Sequence, residues 1–302
     1  MPTTTSKSKH FLQLHILIFI FGFTAILGKL ISVNALSLVW YRMLLATLFV
    51  FFFILLKKIR FKVSKHKIPA LLLAGIALSL HWVTFFEAIK ISNISIALIT
   101  MSTGAFLGSL IEPIWYKRKI IWYEVVFGLI IIFGLYIIFN METQYYMGIL
   151  MGLLSSFLNV VFTMINGKLI NDQKPSIIGF YEMGIGTLFL TAFLFYDGGF
   201  TPEFFNISSL DFFYLIILAS VCTAYAFIAL VKTMRFISPY TILLSLNLEP
   251  VYGIVLAILI FGESEHMQPT FYVGAILILG IIVLNGVLKN RENIKIGSSK
   301  VN

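Results

Sequence analysis

Ten stretches of this chain run apolar for about the length of a bilayer crossing, with short polar or charged segments between them. They cover residues 11–32, 36–56, 69–90, 93–116, 120–139, 145–169, 176–196, 211–234, 238–261 and 270–288. A hydrocarbon core of ~30 Å needs about 20 residues of helix at ~1.5 Å per residue. In lipid each helix also satisfies its own backbone polar groups. The pattern therefore predicts an all-α polytopic membrane protein with ten transmembrane helices. The first run follows Lys7, Lys9 and His10 without a small-x-small cleavage pattern. It is longer than a signal-peptide core and reads as the first membrane helix.

The segments between the runs carry an orientation signal. With the N-terminus inside, the inner segments hold every Lys and Arg except Lys29, Arg42 and Lys90, including Lys57 to Lys67 and the Lys117-Arg118-Lys119 cluster. Glu142, Asp197, Glu203, Asp211, Glu263 and Glu265 fall in the outer segments. By the positive-inside rule both termini are expected in the cytoplasm of a multi-pass protein in the cytoplasmic (inner) membrane.

The pattern also repeats. Residues 23–31 read FTAILGKLI and residues 162–170 read FTMINGKLI; Tyr41, Met43, Thr47 and Leu48 recur as Tyr181, Met183, Thr187 and Leu188. The chain thus divides into a first repeat at 11–140, a second at 145–288 and a cytoplasmic tail at 289–302. Five helices per half make the second half inverted relative to the first, an arrangement that suits alternating access around a central site.

Composition agrees with this reading and removes others. The 302 residues are 59% hydrophobic and 12% charged, with mean hydropathy +0.97, which excludes an ordinary soluble domain. The net charge of +9 resides in short loops rather than on a basic face, so no nucleic-acid partner is expected. Cys222, the single cysteine, lies inside an apolar run, which leaves neither a disulfide nor a zinc site. The chain lacks HExxH, GxSxG and a phosphate-binding glycine loop, and no enzyme activity, metal or cofactor is expected.

Candidate chemistry lies in the polar residues inside the runs. An ionisable group costs about 2.5–3.5 kcal/mol there on insertion scales, so each needs a partner or a task. Glu249 is near the middle of the ninth run, with Glu182 and Arg42 about four residues from the centres of theirs. Glu87 and Glu112 are near run ends, where local pairing or snorkelling suffices. Arg42 and Glu182 occupy equivalent repeat positions, which suits a structural anchor in each half. Polar stripes recur at helical spacing: Ser95, Ser102 and Ser109; Ser155, Asn159, Thr163 and Asn166; Thr241, Ser245, Glu249 and Tyr252. These stripes fit a cavity lining and fit helix packing equally, as do the pairs Gly104/Gly108 and Gly148/Gly152. His81 and Trp82 form a further pair that suits a proton relay beside an aromatic wall, or plain packing. Pro113 and Pro250 each follow a glutamate and free a carbonyl one turn back, as a gate would need.

The segment FIFGFTAILGKLISVNALSLVWYRMLLATLFVFFFILLKK resembles the opening of EamA-domain proteins of the drug/metabolite transporter (DMT) superfamily. GILMGLLSSFLNVVFTMINGKL followed by FYEMGIGTL is similar to the opening of a second EamA repeat. LEPVYGIVLAILIFGE, Leu248 to Glu263, is similar to the ninth-helix signature. The resemblance spans residues 11–288. It implies a ten-helix inverted-repeat carrier with a central cavity, and it carries over Arg42, Pro250 and Glu263 by position. In the first half Thr103 stands where the family places a proline, and Tyr116-Lys117 replaces the Gly-Glu end.

The resulting expectation is a secondary transporter exporting amino acids or related small metabolites, with coupling to protons left open. The expected cavity or coupling residues are Glu249, Glu182, His81, Trp82, Ser102, Thr103, Asn159, Tyr225, Ser245 and Tyr252. Arg42, Glu112, Pro113 and Pro250 are expected to be structural or to gate. The expected partners are a small-molecule substrate and the lipid bilayer. An uncoupled facilitator and a non-transporting scaffold or sensor are the alternatives.

Overall fold

The computed structural model describes residues 4–117, 122–141 and 143–299, all of whose regular structure is helical. Arg118, Lys119, Lys300 and Glu142, which entered the charge argument, lie outside the described residues. The helices are α1 (Thr4–Leu30), α2 (Ala35–Leu56), α3 (Ile68–Ile91), α4 (Ile94–Met101), α5 (Gly104–Tyr116), α6 (Trp122–Met141) and α7 (Tyr146–Leu169). After them come α8 (Pro175–Asp197), α9 (Pro202–Phe205), α10 (Ser209–Ala219), α11 (Ala226–Thr233), α12 (Pro239–Leu246), α13 (Glu249–Phe261) and α14 (Pro269–Ser299). Seven segments are long and apolar enough to cross a membrane: Leu12–Leu30, Ala35–Leu56, Lys65–Ile91, Ile94–Tyr116, Thr143–Leu169, Pro175–Asp197 and Ser209–Thr233. Val126–Ile138 and Pro269–Ile281 are shorter apolar helices. The ninth run forms two helices, α12 and α13, and is not among these seven.

Local chemistry sets several ends. Asn34 accepts from Ser37 N at the start of α2, and Asn93 accepts from Ile96 N at the start of α4. Proline opens α3 and α8, where its missing N–H costs nothing. Gly198, at φ 67°, ends α8 in the left-handed conformation that glycine adopts without strain.

Packing is tight on the inside and apolar on the outside. Leu17, Ile18, Leu38, Met43, Leu78 and Phe86 are fully buried, whereas Phe52, Leu56, Leu188, Phe195, Leu259 and Ile276 are exposed. An apolar exterior of this kind is what lipid contact requires and water penalises. Close crossings depend on small residues. A Cβ on Gly75 of α3 would meet Glu182 O of α8 at 2.8 Å, and one on Gly186 would lie 3.0 Å from Gly75 O. On α7, Gly148 and Gly152 face Ser92 and Thr100, which gives that pair a packing role.

The α2–α3 and α7–α8 connections lie together at one end. Lys67 Nζ donates to Asp172 Oδ2 at 2.6 Å, and Lys58, Arg60, Lys62 and Lys174 surround the same recess. The Lys67 hydrogen bond holds the Asp172 carboxyl below its ordinary range. Arg235 Nη2 donates to Gln173 O at 3.1 Å and ties the α11–α12 turn to this cationic end.

Candidate functional site: a charged cavity in the bundle

Two of the apolar runs break near their middles, each for a local chemical reason. Between α4 and α5, Ser102 Oγ donates to Ile99 O at 2.6 Å and Thr103 Oγ1 to Thr100 O at 2.7 Å. Hydroxyls that return to the carbonyls three residues back compete with the helix ladder, and the interruption here comes without a proline. Between α12 and α13, Pro250 has no N–H to donate and Asn247 Nδ2 donates to Leu243 O at 3.0 Å. The second break leaves Glu249 at the head of α13, where the helix dipole favours negative charge.

The breaks border two adjoining cavities. The larger is lined by residues that include Thr24, Arg42, His81, Trp82, Asn159 and Glu249, with apolar residues that include Phe21, Phe85, Phe162 and Phe227. The wall of the smaller includes Ser102, Asn159, Asn247, Glu249 and Pro250. Glu249 and Asn159 belong to both walls.

Arg42 projects from α2 and is 2% exposed. Its Nε donates to Thr223 Oγ1 at 2.6 Å, and its guanidinium lies 3.9 Å from the Trp82 ring centroid and 5.3 Å from that of Phe86. The Thr223 hydroxyl donates in turn to Leu218 O at 2.6 Å. Thr223 occupies a π-helical segment, Ser220–Tyr225, inserted between α10 and α11. Insertions of this kind cluster at functional sites, and this one turns Thr223 inward.

Tyr225, at the end of the same segment, is 55% exposed and lines neither cavity. Arg42 also differs from an anchor confined to its own half, since it reaches Thr223 in the other.

His81 is held by Ser155. Its Nδ1 lies 3.0 Å from Ser155 O, a carbonyl that can only accept, which places the proton on Nδ1 and leaves Nε2 free to accept in the neutral ring. Ser155 Oγ is 2.8 Å from His81 Nδ1 and donates to His81 O at 2.9 Å.

The remaining expected residues are placed as follows. Glu182 is fully buried away from both cavities and accepts from Asn166 Nδ2 at 3.1 Å. Its Oε1 and Asn166 Oδ1 have no partner. Thr103 is buried and also donates to Ser156 Oγ at 3.1 Å, so it ties α4–α5 to α7. Ser245 donates to Thr241 O at 2.9 Å, and Tyr252 packs edge-on against Phe19, 5.8 Å between centroids. Pro113 is buried inside α5, and Glu112 beside it is half-buried.

The sequence reading passed over the groups that close the opposite end of the bundle. Glu265, fully buried, accepts from Lys29 Nζ at 2.6 Å, Ile94 N at 3.2 Å, Ser95 N at 3.1 Å and Ser95 Oγ at 3.2 Å. It therefore joins α1, the start of α4 and the α13–α14 connection. Glu263, carried over from the family signature, is exposed, with His266 Nδ1 3.2 Å from its Oε2. Asp211 accepts from Ser32 N at 2.8 Å and from Ser32 Oγ at 2.5 Å. The ninth-run signature ends at Glu263, two residues short of the acid that is buried.

The sequence matches the EamA-like transporter family twice, over residues 10–140 and 146–287. The chain belongs to the EamA-like transporter family. An uncharacterized transporter of Bacillus subtilis (strain 168) is 24% identical to it, covering 94% of this chain and 90% of the relative. An uncharacterized transporter of Archaeoglobus fulgidus is 24% identical over 93% of this chain and 96% of its own length. A crystal structure 13% identical in sequence shares the fold with TM-score 0.66, over 96% of this chain and 99% of the other. Both EamA matches contribute to the cavity: Arg42, His81 and Trp82 come from the first, Asn159, Phe227 and Glu249 from the second. The protein is thus a multi-pass membrane transporter of this family.

Proposed function

We propose that this protein is a secondary transporter that exports an amino-acid-like small metabolite across the cytoplasmic membrane by alternating access. In this reading the halves 11–140 and 145–288 form inverted five-helix repeats that rock about the cavity, and the termini and the tail 289–302 lie in the cytoplasm. The observation that carries it is a cavity holding both a cation, Arg42, and an acid, Glu249, inside a bundle clad in apolar side chains. A buried group of each sign, unpaired with the other, suits a solute that carries charge of its own. The broken runs support the same reading, because discontinuous helices expose backbone groups at the binding sites of such carriers. The cationic end formed by Lys58, Arg60, Lys62 and Lys174 supports a cytoplasmic placement.

Glu249 exchanges a proton during the cycle, and His81, which lines the same cavity, is the neighbouring group that can accept one. Flux in proteoliposomes tests this. Glu249→Gln is expected to abolish exchange while the protein still inserts and elutes as a folded species; unchanged flux removes Glu249 from the mechanism. Flux that ignores an imposed proton gradient identifies an uncoupled facilitator instead.

A further inference from the structure

The packing leaves one permanent charge without an ion-pair contact, its nearest acid, Glu249, standing across the same cavity wall. Arg42 stays protonated under all physiological conditions and offers five N–H donors in a planar fork. The protein supplies one of those donors with an acceptor, the Thr223 hydroxyl at 2.6 Å. Nη1 is buried with no partner. Among the described residues the ion pairs are Lys29–Glu265, Lys67–Asp172 and His266–Glu263, and Arg42 belongs to none. Trp82 and Phe86 offer ring faces to the guanidinium. A ring face contributes about 2 kcal/mol when desolvated, which does not neutralise a buried charge.

A guanidinium kept for structure would be expected to end on a carboxylate or on several carbonyls. This one is instead fixed at three sides: Thr223 holds Nε, and two rings hold the plane. The fork is thereby set in the wall of the larger cavity, which also contains Glu249.

Resting on the transport reading above, we infer that Arg42 is the specificity-determining anchor for a carboxylate on the transported solute. The carboxylate docks on the guanidinium fork, and Phe21, Phe85 and Phe162 cover the apolar remainder. Glu249 receives an ammonium group where the solute has one. Thr223 and Trp82 act as positioning residues for the fork. The ligand class is a small monocarboxylate with an apolar body, zwitterions included.

Binding to the full-length protein in nanodiscs tests the inference with matched probes. The probes are apolar L-amino acids, the corresponding amides, and the corresponding acids lacking the amino group. The carboxylate probes are expected to bind and the amides to bind at least about tenfold more weakly, because a site built for a carboxylate is left unpaired by the amide. This comparison needs no variant, so it stands even if Arg42 substitutions fail to fold.

In variants that remain monodisperse, Arg42→Lys keeps the charge and loses the fork. It is expected to weaken carboxylate binding about tenfold or more and amide binding by much less, so that the preference for the acid over the amide collapses. Three results overturn the inference: amides binding as tightly as their acids, wild-type carboxylate affinity in Arg42→Lys, or no carboxylate binding. Transport of amides or amines without carboxylate preference sinks this anchor and leaves the transport reading intact. Arg42-dependent carboxylate binding with no flux for any probe does the reverse.

Discussion

Glu265→Ala gives the sharpest stability test, because the carboxylate it removes serves three chain segments at once. The side chain is fully buried and holds Lys29 Nζ at 2.6 Å, two backbone N–H groups of α4 at 3.2 and 3.1 Å, and the Ser95 hydroxyl at 3.2 Å. A buried donor left without its acceptor costs about 1–3 kcal/mol, and breaking a buried ion pair about 3–5 kcal/mol. Several features reduce the total. Lys29 is 26% exposed and keeps Ser264 Oγ at 3.1 Å, so it turns toward water. Asn93 still caps Ile96 N at 2.8 Å, so α4 retains part of its cap. The expected loss is therefore about 3 kcal/mol for Glu265→Ala, less for Glu265→Gln, which keeps one acceptor oxygen. Lys29→Met leaves the three α4 donors satisfied and is expected to cost about 1 kcal/mol. The assay is reversible unfolding of the purified protein in detergent, run as a double-mutant cycle. The two substitutions are expected to couple by about 1 kcal/mol or more, since each removes the same pair. A Glu265→Ala loss below about 1 kcal/mol, or strictly additive effects, would refute the idea that this carboxylate fastens the end of the bundle.

Two further outcomes follow from packing. Glu182 Oε1 and Asn166 Oδ1 are both acceptors without donors, so Glu182→Gln, which brings an amide N–H to the pair, is expected to unfold no earlier than wild type; Glu182→Ala is expected to lose about 2–4 kcal/mol by thermal melting in detergent. Gly75→Ala is expected to cost about 1–3 kcal/mol through overlap with Glu182 O, whereas Gly198→Ala, at φ 67° with open space around it, costs about 1 kcal/mol through backbone strain alone.

The apolar runs, their approximate ends and the family were legible in the sequence, because membrane crossing is a local requirement. Each helix meets lipid by itself, so length, hydropathy and flanking charge suffice to mark it. Glu249 was legible for the same reason: a carboxylate in the middle of an apolar run is anomalous whatever surrounds it. Tyr225 was not placed by any pattern in the sequence: it falls in the π segment Ser220–Tyr225, whose irregular turn no run of residues announces, and it is exposed. Depth alone placed Glu182 beside Glu249 in rank, although one is sealed against Asn166 and the other borders both cavities.

The sequence by itself determined that this chain is helical, apolar on its surface, doubled in its family match and supplied with a few costly charges. Tertiary structure decided which charges meet. Arg42 and Thr223 are far apart in the chain, as are Lys29 and Glu265, and no periodicity in one run encodes its neighbour across the bundle. Pairing of that kind is settled by which helix faces pack together, and at Gly75 and Gly186 by how closely two backbones approach. A buried charge reads as an anomaly from sequence; only the packing shows whether the protein neutralises it or leaves it facing a cavity.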